Sequence, residues 1–167
     1  MALGQAIAAG GHRLIYGGGR VGLMGVVAET VIANEGDVTG VMTEQLVALE
    51  VAHDGLGTLD IQPDMHSRKA RMAELADGVV ALPGGFGTLD EAFEILTWNQ
   101  LGLVSMPVVF LDVDGYFESL FEFMENAVAA GFMHDHHGSM AQRTTDPIEA
   151  VRLATATAPG YQPKWVN

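Results

Sequence analysis

Residues 78–101 read GVVALPGGFGTLDEAFEILTWNQL, and the order of residue types in this stretch decides the fold. Gly78 to Leu82 is a short apolar run of the kind that forms a buried strand. Pro83 to Gly87 is a glycine-rich turn, and from about Thr88 the apolar residues fall at helical spacing. A strand that delivers Gly-Gly-x-Gly into a helix N-terminus makes a corner suited to an anion. Its glycines let the backbone approach a ligand closely, and the first-turn N–H groups have no intrahelical acceptor. Asp90 and Glu91 follow within a turn, so the stretch predicts a phosphorylated substrate with acid–base chemistry beside it. The same letters spell a capping box, Thr88-x-x-Glu91, in which Thr88 caps the helix and Glu91 reaches back to its N–H. Both readings are open at this point.

Working outward, Pro63-Asp64 starts a helix running to about Ala76, with Asp64 as N-cap. On the other side, Pro107 to Leu111 is a continuous apolar run typical of a strand covered on both faces. Tyr116 to Ala130 is an amphipathic helix. Met140 to Thr144 is a last strand, and Pro147 to Ala158 a last helix with Asp146 at its N-cap. Toward the N-terminus, Met1 to Gly10 ends a helix at Gly10-Gly11. Arg13 to Tyr16 is a strand, and a helix from about Leu23 to Asn34 is closed by Gly36. Asp37 to Met42 is a strand, Thr43 to Glu50 a short helix and Leu59 to Gln62 a weak strand. Strands alternating with helices predict an α/β fold: a doubly wound parallel sheet with helices on both faces, ligands sitting at the carboxyl ends of the strands. Such domains normally open on a central strand, whereas this chain opens on a helix, so a first strand is expected to be missing from the sequence. The expected organisation is one domain over 1–158 and a tail over 159–167.

A chain of 167 residues buries about 68–70% of its unfolded surface, enough for a real core. The formal charge of −13, from 8 basic and 21 acidic residues, argues against a nucleic-acid backbone or an anionic membrane as partner. It also means that positive charge for an anion site must be supplied locally. With no cysteine, disulfides, thiolate catalysis and zinc–thiolate sites are excluded. No apolar run approaches the roughly 18 residues of a membrane span, and the N-terminus lacks a signal-peptide pattern. A cytoplasmic setting is expected.

Local positive charge has one obvious source. Arg68, Lys69 and Arg71 place three of the 8 basic residues within four positions. On a helix Arg68 shares a side with Met65 and Met72 and borders the buried stripe, so it is paired with a carboxylate or aimed at an anion. A solvated helix face suits Arg71 better. A second glycine-rich corner, YGGGRVGLMG at 16–25, departs from the dinucleotide pattern and reads equally as a tight turn or as a ligand loop. His134-Asp135-His136-His137, in a loop, is too compact to supply a metal site alone, and no metal is expected. Phe93, Leu96, Phe117, Leu120, Phe121 and Met124 fall at helical spacing and read as core or subunit interface.

PGGFGTLDE (83–91), with MHSRK (65–69) and YGGGRVGLMG (16–25) upstream and TWNQLG and DGYF downstream, resembles the LONELY GUY family. That family comprises cytokinin riboside 5′-monophosphate phosphoribohydrolases often labelled lysine decarboxylases, and the match runs from about Leu3 to Leu153. The resemblance implies a Rossmann-like parallel sheet and a homodimer or larger homo-oligomer with the site near the subunit interface. It also implies cleavage of the N-glycosidic bond of N6-substituted adenosine monophosphates, including AMP-nucleosidase-like action, to free base and ribose 5-phosphate. By resemblance the catalytic residues are Arg68 and Glu91. The phosphate loop is Gly84, Gly85, Phe86, Gly87 and Thr88, with Lys69 and Asp90 close by, and Glu50 and Thr97 are further substrate contacts. The family's usual first strand and its Cys-Gly-Ser-Ser-type loop have no counterpart here, and Asp90 stands where a glutamate is common.

Glycosidic cleavage passes through an oxocarbenium-like sugar, which asks for negative charge near C1′ and an activated water. Glu91 is expected to supply both, Arg68 to balance its charge and position the nucleotide, and the 84–88 amides to hold the 5′-phosphate. No cofactor is expected. A pyridoxal-phosphate decarboxylase would need a Schiff-base lysine, and the only candidates are Lys69, beside Arg68, and Lys164 in the tail. The other alternative is a non-catalytic nucleotide-binding or carrier module, for which the Arg68 and Glu91 combination would be superfluous.

Overall fold

In the computed structural model, which describes residues 1–49, 57–158 and 160, the alternation of apolar runs and capped helices resolves into two units, Met1–Ala76 and Asp77–Asn167. In the first unit, helix α1 (Ala2–Ala9) leads to strand β1 (Leu14–Tyr16), α2 (Gly22–Ala33), β2 (Val38–Thr43), α3 (Glu44–Ala48), β3 (Thr58–Gln62) and α4 (Met65–Leu75). The strands form a parallel sheet in the order β1-β2-β3, with Leu14 opposite Val38 and Thr39 opposite Thr58. All six residues of the central β2 are buried, as a parallel strand covered on both faces requires. Gly4 lets α1 lie close on α2, since a Cβ there would press on Thr30 and the Val27 carbonyl.

Caps mark the helix starts in this unit. The Asp64 carboxylate accepts from the Ser67 N–H at 2.9 Å, and that bond, with the Ser67 hydroxyl, holds the Asp64 carboxyl below its ordinary range. The Thr43 hydroxyl accepts from Leu46 N–H at the start of α3. At the end of α2 the chain departs from expectation. Glu35, not Gly36, takes the left-handed conformation, with φ 59°. The N–H of Glu35 bonds to Ile32 O and that of Gly36 to Val31 O, the paired closure of a Schellman turn.

The second unit runs β4 (Val79–Ala81), α5 (Phe86–Gln100), β5 (Val108–Leu111), α6 (Glu118–Ala129), α7 (Asp135–Gly138), β6 (Ala141–Thr144) and α8 (Pro147–Ala154). Its sheet is also parallel, β4-β5-β6, with Val79 opposite Val108 and Val108 opposite Ala141. The central β5 is wholly buried. Phe110 on it makes edge contacts with Phe117 and Phe121, ring centroids 5.1 and 5.5 Å apart. Asn99, buried near the end of α5, donates to Met106 O at 2.7 Å and accepts from Met106 N–H at 2.9 Å. One side chain thus makes the two bonds a strand neighbour would make, and it fixes the entry to β5.

Several boundaries differ from the sequence reading. Helix α6 begins at Glu118, not Tyr116, because Asp114 and Gly115 both adopt left-handed backbone (φ 54° and 73°) and turn the chain before it can coil. The histidine segment is a single helical turn with His137 buried, not a loop. The last helix stops at Ala154. Among the described residues, no helix is long and apolar enough to cross a membrane.

Candidate active site

The corner between β4 and α5 sits at the carboxyl end of its strand, as expected, but the helix begins earlier than the sequence suggests. Gly85 is the N-cap, with no side-chain capping bond, and α5 starts at Phe86. The Leu89 N–H is the first to close the helical ladder, on Gly85 O at 3.2 Å. The amides of Phe86, Gly87 and Thr88 therefore precede it and carry the positive end of the helix. This displaces the capping-box reading: Thr88 is inside the helix, and its side chain instead lies against the Cα of Gly84, where a Cβ would collide with its hydroxyl. At Gly85 and Gly87 an added Cβ would meet nothing within 4 Å. The backbone is open to a ligand at these two residues.

Side chains on a helix lean toward its N-terminus, and residues three or four apart share a face. Glu91, half-buried, therefore leans from the next turn toward Gly87 and Thr88. Asp90, exposed, lies on the stripe that carries Phe86, a residue 95% exposed. Thr97 continues that stripe about 16 Å beyond Phe86 along the axis, and its hydroxyl bonds back to Phe93 O at 2.7 Å. Residues 84–88, Asp90 and Glu91 are thus gathered at one helix end, and Thr97 stands away from it.

In the first unit Arg68 is the buried residue of α4, 8% exposed. Its Nε donates to Val41 O at 2.9 Å, near the carboxyl end of β2, and its Nη1 to Met65 Sδ at 3.3 Å. The other corner makes room for it. A Cβ on Gly17 would collide with Arg68 Nη2, and one on Gly18, φ 77°, would collide with Met42. Gly17 thus forms part of the seat of a buried guanidinium, a use the sequence did not suggest, while Gly18 and Gly22 turn the chain with left-handed backbone as the tight-turn reading has it. Lys69 is half-buried beside it. Arg71 is not simply solvated, for it bonds Asp60 on β3 at 2.8 Å and Glu74 at 2.6 Å. The Arg71 hydrogen bond, followed by that of Gln62, holds the Asp60 carboxyl below its ordinary range. Glu50 lies outside the described residues.

Tyr16, the first residue of that corner, is buried, and its hydroxyl has no hydrogen-bond partner among the described residues. Burial, and secondarily the charge of Glu29, push its phenol up to about 12. Tyr116 was not read as a site residue, yet its hydroxyl donates to Gly84 O at 2.7 Å. Only the DGYF resemblance pointed toward it, since a bond spanning 32 residues leaves no trace in local pattern. Among the described residues no three metal-capable side chains come together as a metal site requires. The rings of His136 and His137 nevertheless lie 3.8 Å apart.

Against known proteins, the family model described as "Possible lysine decarboxylase" matches residues 24–154. The chain is 48% identical over 132 residues to the cytokinin riboside 5′-monophosphate phosphoribohydrolase of Rhodococcoides fascians, covering 78% of this chain and 67% of that one. It is 44% identical over 131 residues to a probable enzyme of the same name from Oryza sativa subsp. japonica, covering 78% and 59%. With one from Arabidopsis thaliana it shares 48% over 120 residues, covering 72% and 55%. The chain therefore spans little more than half to two thirds of the length of these relatives. Among solved structures, a molybdenum cofactor binding protein from Rippkaea orientalis superposes with a TM-score of 0.68 at 23% identity. That alignment covers 91% of this chain and 81% of that one, and establishes the Rossmann-like α/β fold.

Proposed function

Because the chain belongs to the family whose model is described as possible lysine decarboxylase, we propose that it hydrolyses the N-glycosidic bond of N6-substituted adenosine 5′-monophosphates, releasing the free base and ribose 5-phosphate. The observation that carries this reading is the open corner at Gly85 and Gly87, with a carboxylate one turn up the same helix. The amides of 84–88 grip the 5′-phosphate with backbone dipoles, a device suited to a chain of charge −13. Glu91 stabilises the cationic sugar at C1′ and takes the proton of the attacking water. Arg68 is assigned the second catalytic role, orienting the nucleotide, and Lys69, Asp90, Glu50 and Thr97 are assigned as further substrate contacts. Holding the phosphate remotely fixes C1′ against the carboxylate, which lowers the entropic part of the barrier.

A decarboxylase reading has less support. Its Schiff base would fall to Lys69, next to the buried Arg68, while the relatives' names describe phosphoribohydrolases. We further propose one nucleotide-binding domain over 1–158 with a tail at 159–167, working in the cytoplasm as a homodimer or larger homo-oligomer. Phe123 and Phe132, 65% and 89% exposed, suit a surface covered by a second copy.

The test is incubation with isopentenyl-AMP and with AMP, followed by chromatography for free base. Glu91→Gln should lower the rate by about 10²–10⁴-fold while nucleotide binding persists. Undiminished release by that variant would sink the assignment, and binding by the wild type without any release would mark a carrier.

A further inference from the structure

The hydrogen bond from Tyr116 to the Gly84 carbonyl has a consequence for the amide on the other side of the same peptide group. Resting on the reading of 84–88 as a phosphate-binding corner, we propose that Tyr116 is a positioning residue for the substrate phosphate, which sets the direction of the Gly85 N–H. No peptide bond among the described residues is cis, so the Gly84 C=O and the Gly85 N–H point in opposite directions across one rigid plane. Pinning the carbonyl therefore aims the amide away from Tyr116. Two consecutive glycines carry the least torsional restraint of any residue pair, and without an external hold this plane would rotate readily. A hydrogen bond to the carbonyl also polarises the peptide and strengthens its N–H as a donor.

Tyr116 is itself held, although its side chain is half exposed. Asp114 and Gly115 place it with left-handed backbone, and its own N–H bonds to Val113 O at 3.1 Å. Its ring packs edge-on against Phe117, centroids 5.1 Å apart. The Phe117 N–H donates to the buried Asp112 carboxylate at 2.9 Å, and Arg143 lies 3.5 Å from the other oxygen of that group. The hold on Gly84 therefore runs back to the carboxyl ends of β5 and β6. On the ligand side, Gly85 has open space where a side chain would be.

Tyr116→Phe removes the hydroxyl and leaves the ring. Using the full chain, the Gly85 amide resonance and inorganic phosphate affinity would be followed by ¹H–¹⁵N spectra, and KM and kcat measured with isopentenyl-AMP. The expected result is a displaced Gly85 resonance, phosphate affinity and KM worse by about 2- to 10-fold, as for loss of one hydrogen bond, and kcat within about twofold. Affinity for the nucleoside lacking a phosphate should not change. An unmoved Gly85 resonance with unchanged KM overturns the proposal, as does an equal loss toward the nucleoside, which would mean a general structural effect. If wild-type Gly85 ignores phosphate while Tyr116→Phe still displaces its resonance, the phosphate reading of the corner falls and the hold on the peptide stands.

Discussion

At Gly17, Gly18 and Gly25 an added Cβ would drive into Arg68, Met42 and the Arg20 carbonyl, whereas at Gly85 and Gly87 it would meet nothing within 4 Å. Both regions lead a parallel strand into a helix through a run of glycines, and by sequence they look like variants of one device. In the first, protein atoms fill the space where a side chain would stand at Gly17, Gly18 and Gly25, while Gly22 faces open space and turns the chain with left-handed backbone, φ 64°. In the second, Gly84 is packed against Thr88, but Gly85 and Gly87 leave the space vacant, so packing does not explain the residue choice at those two positions. Counting glycines in a loop cannot separate these cases; the atoms facing each Cα can.

The comparison breaks most visibly at Gly17. Gly17→Ala should push the guanidinium of Arg68 out of its seat, lowering kcat/KM by about 10²-fold, as misplacement on the ångström scale does, and costing about 1–3 kcal/mol of stability through overpacking. A double-mutant cycle sharpens this. In an Arg68→Ala background the same change should be nearly neutral, because its collision partner has gone. A Gly17→Ala protein with wild-type melting and activity would refute the seat. Gly85→Ala should show the opposite signature. Melting should stay within about 0.5 kcal/mol, as for a change that touches nothing, while KM for the nucleotide rises by about 2- to 10-fold. Lost stability with unchanged KM would place this glycine with those of the first corner.

The smallest effect concerns Tyr16. The folded state holds its proton to about 12, against an ordinary 10 in the unfolded chain. Stability present below pH 10 is therefore lost as the pH rises from 10 to 12. Tyr16→Phe should flatten that alkaline limb of chemical denaturation and cost little at pH 7, since the hydroxyl has no hydrogen-bond partner among the described residues. An alkaline limb identical in the two proteins would assign it to another group.

What could be read beforehand was what short-range chemistry encodes. The continuous apolar run around Val109 announced a strand covered on both faces, the stretch at 37–42 announced a strand, and Asp64 and Asp146 announced helix starts. Where two local signals competed, the louder misled. Thr88-x-x-Glu91 imitates a capping box so well that it hid the plainer cap at Gly85, three residues before the expected helix start. At α2 the glycine at 36 suggested a turn that Glu35 makes in its place. The basic cluster at 68–71 was visible, but not that Val41 and Gly17 would enclose Arg68, because those residues lie far away in sequence. Tyr116 was hidden for the same reason.

Asn99 makes both of its bonds to the one residue Met106, so the connection from α5 to β5 is tied off at its two ends by a single amide. The clasp is carried by the helix, and the N–H groups of Leu101, Gly102 and Leu103 are bonded to its end, which leaves residues 104–105 as the span between fixed posts. That span is a natural place to graft a peptide: the strand beyond it would keep its register, because the knot lies outside the graft.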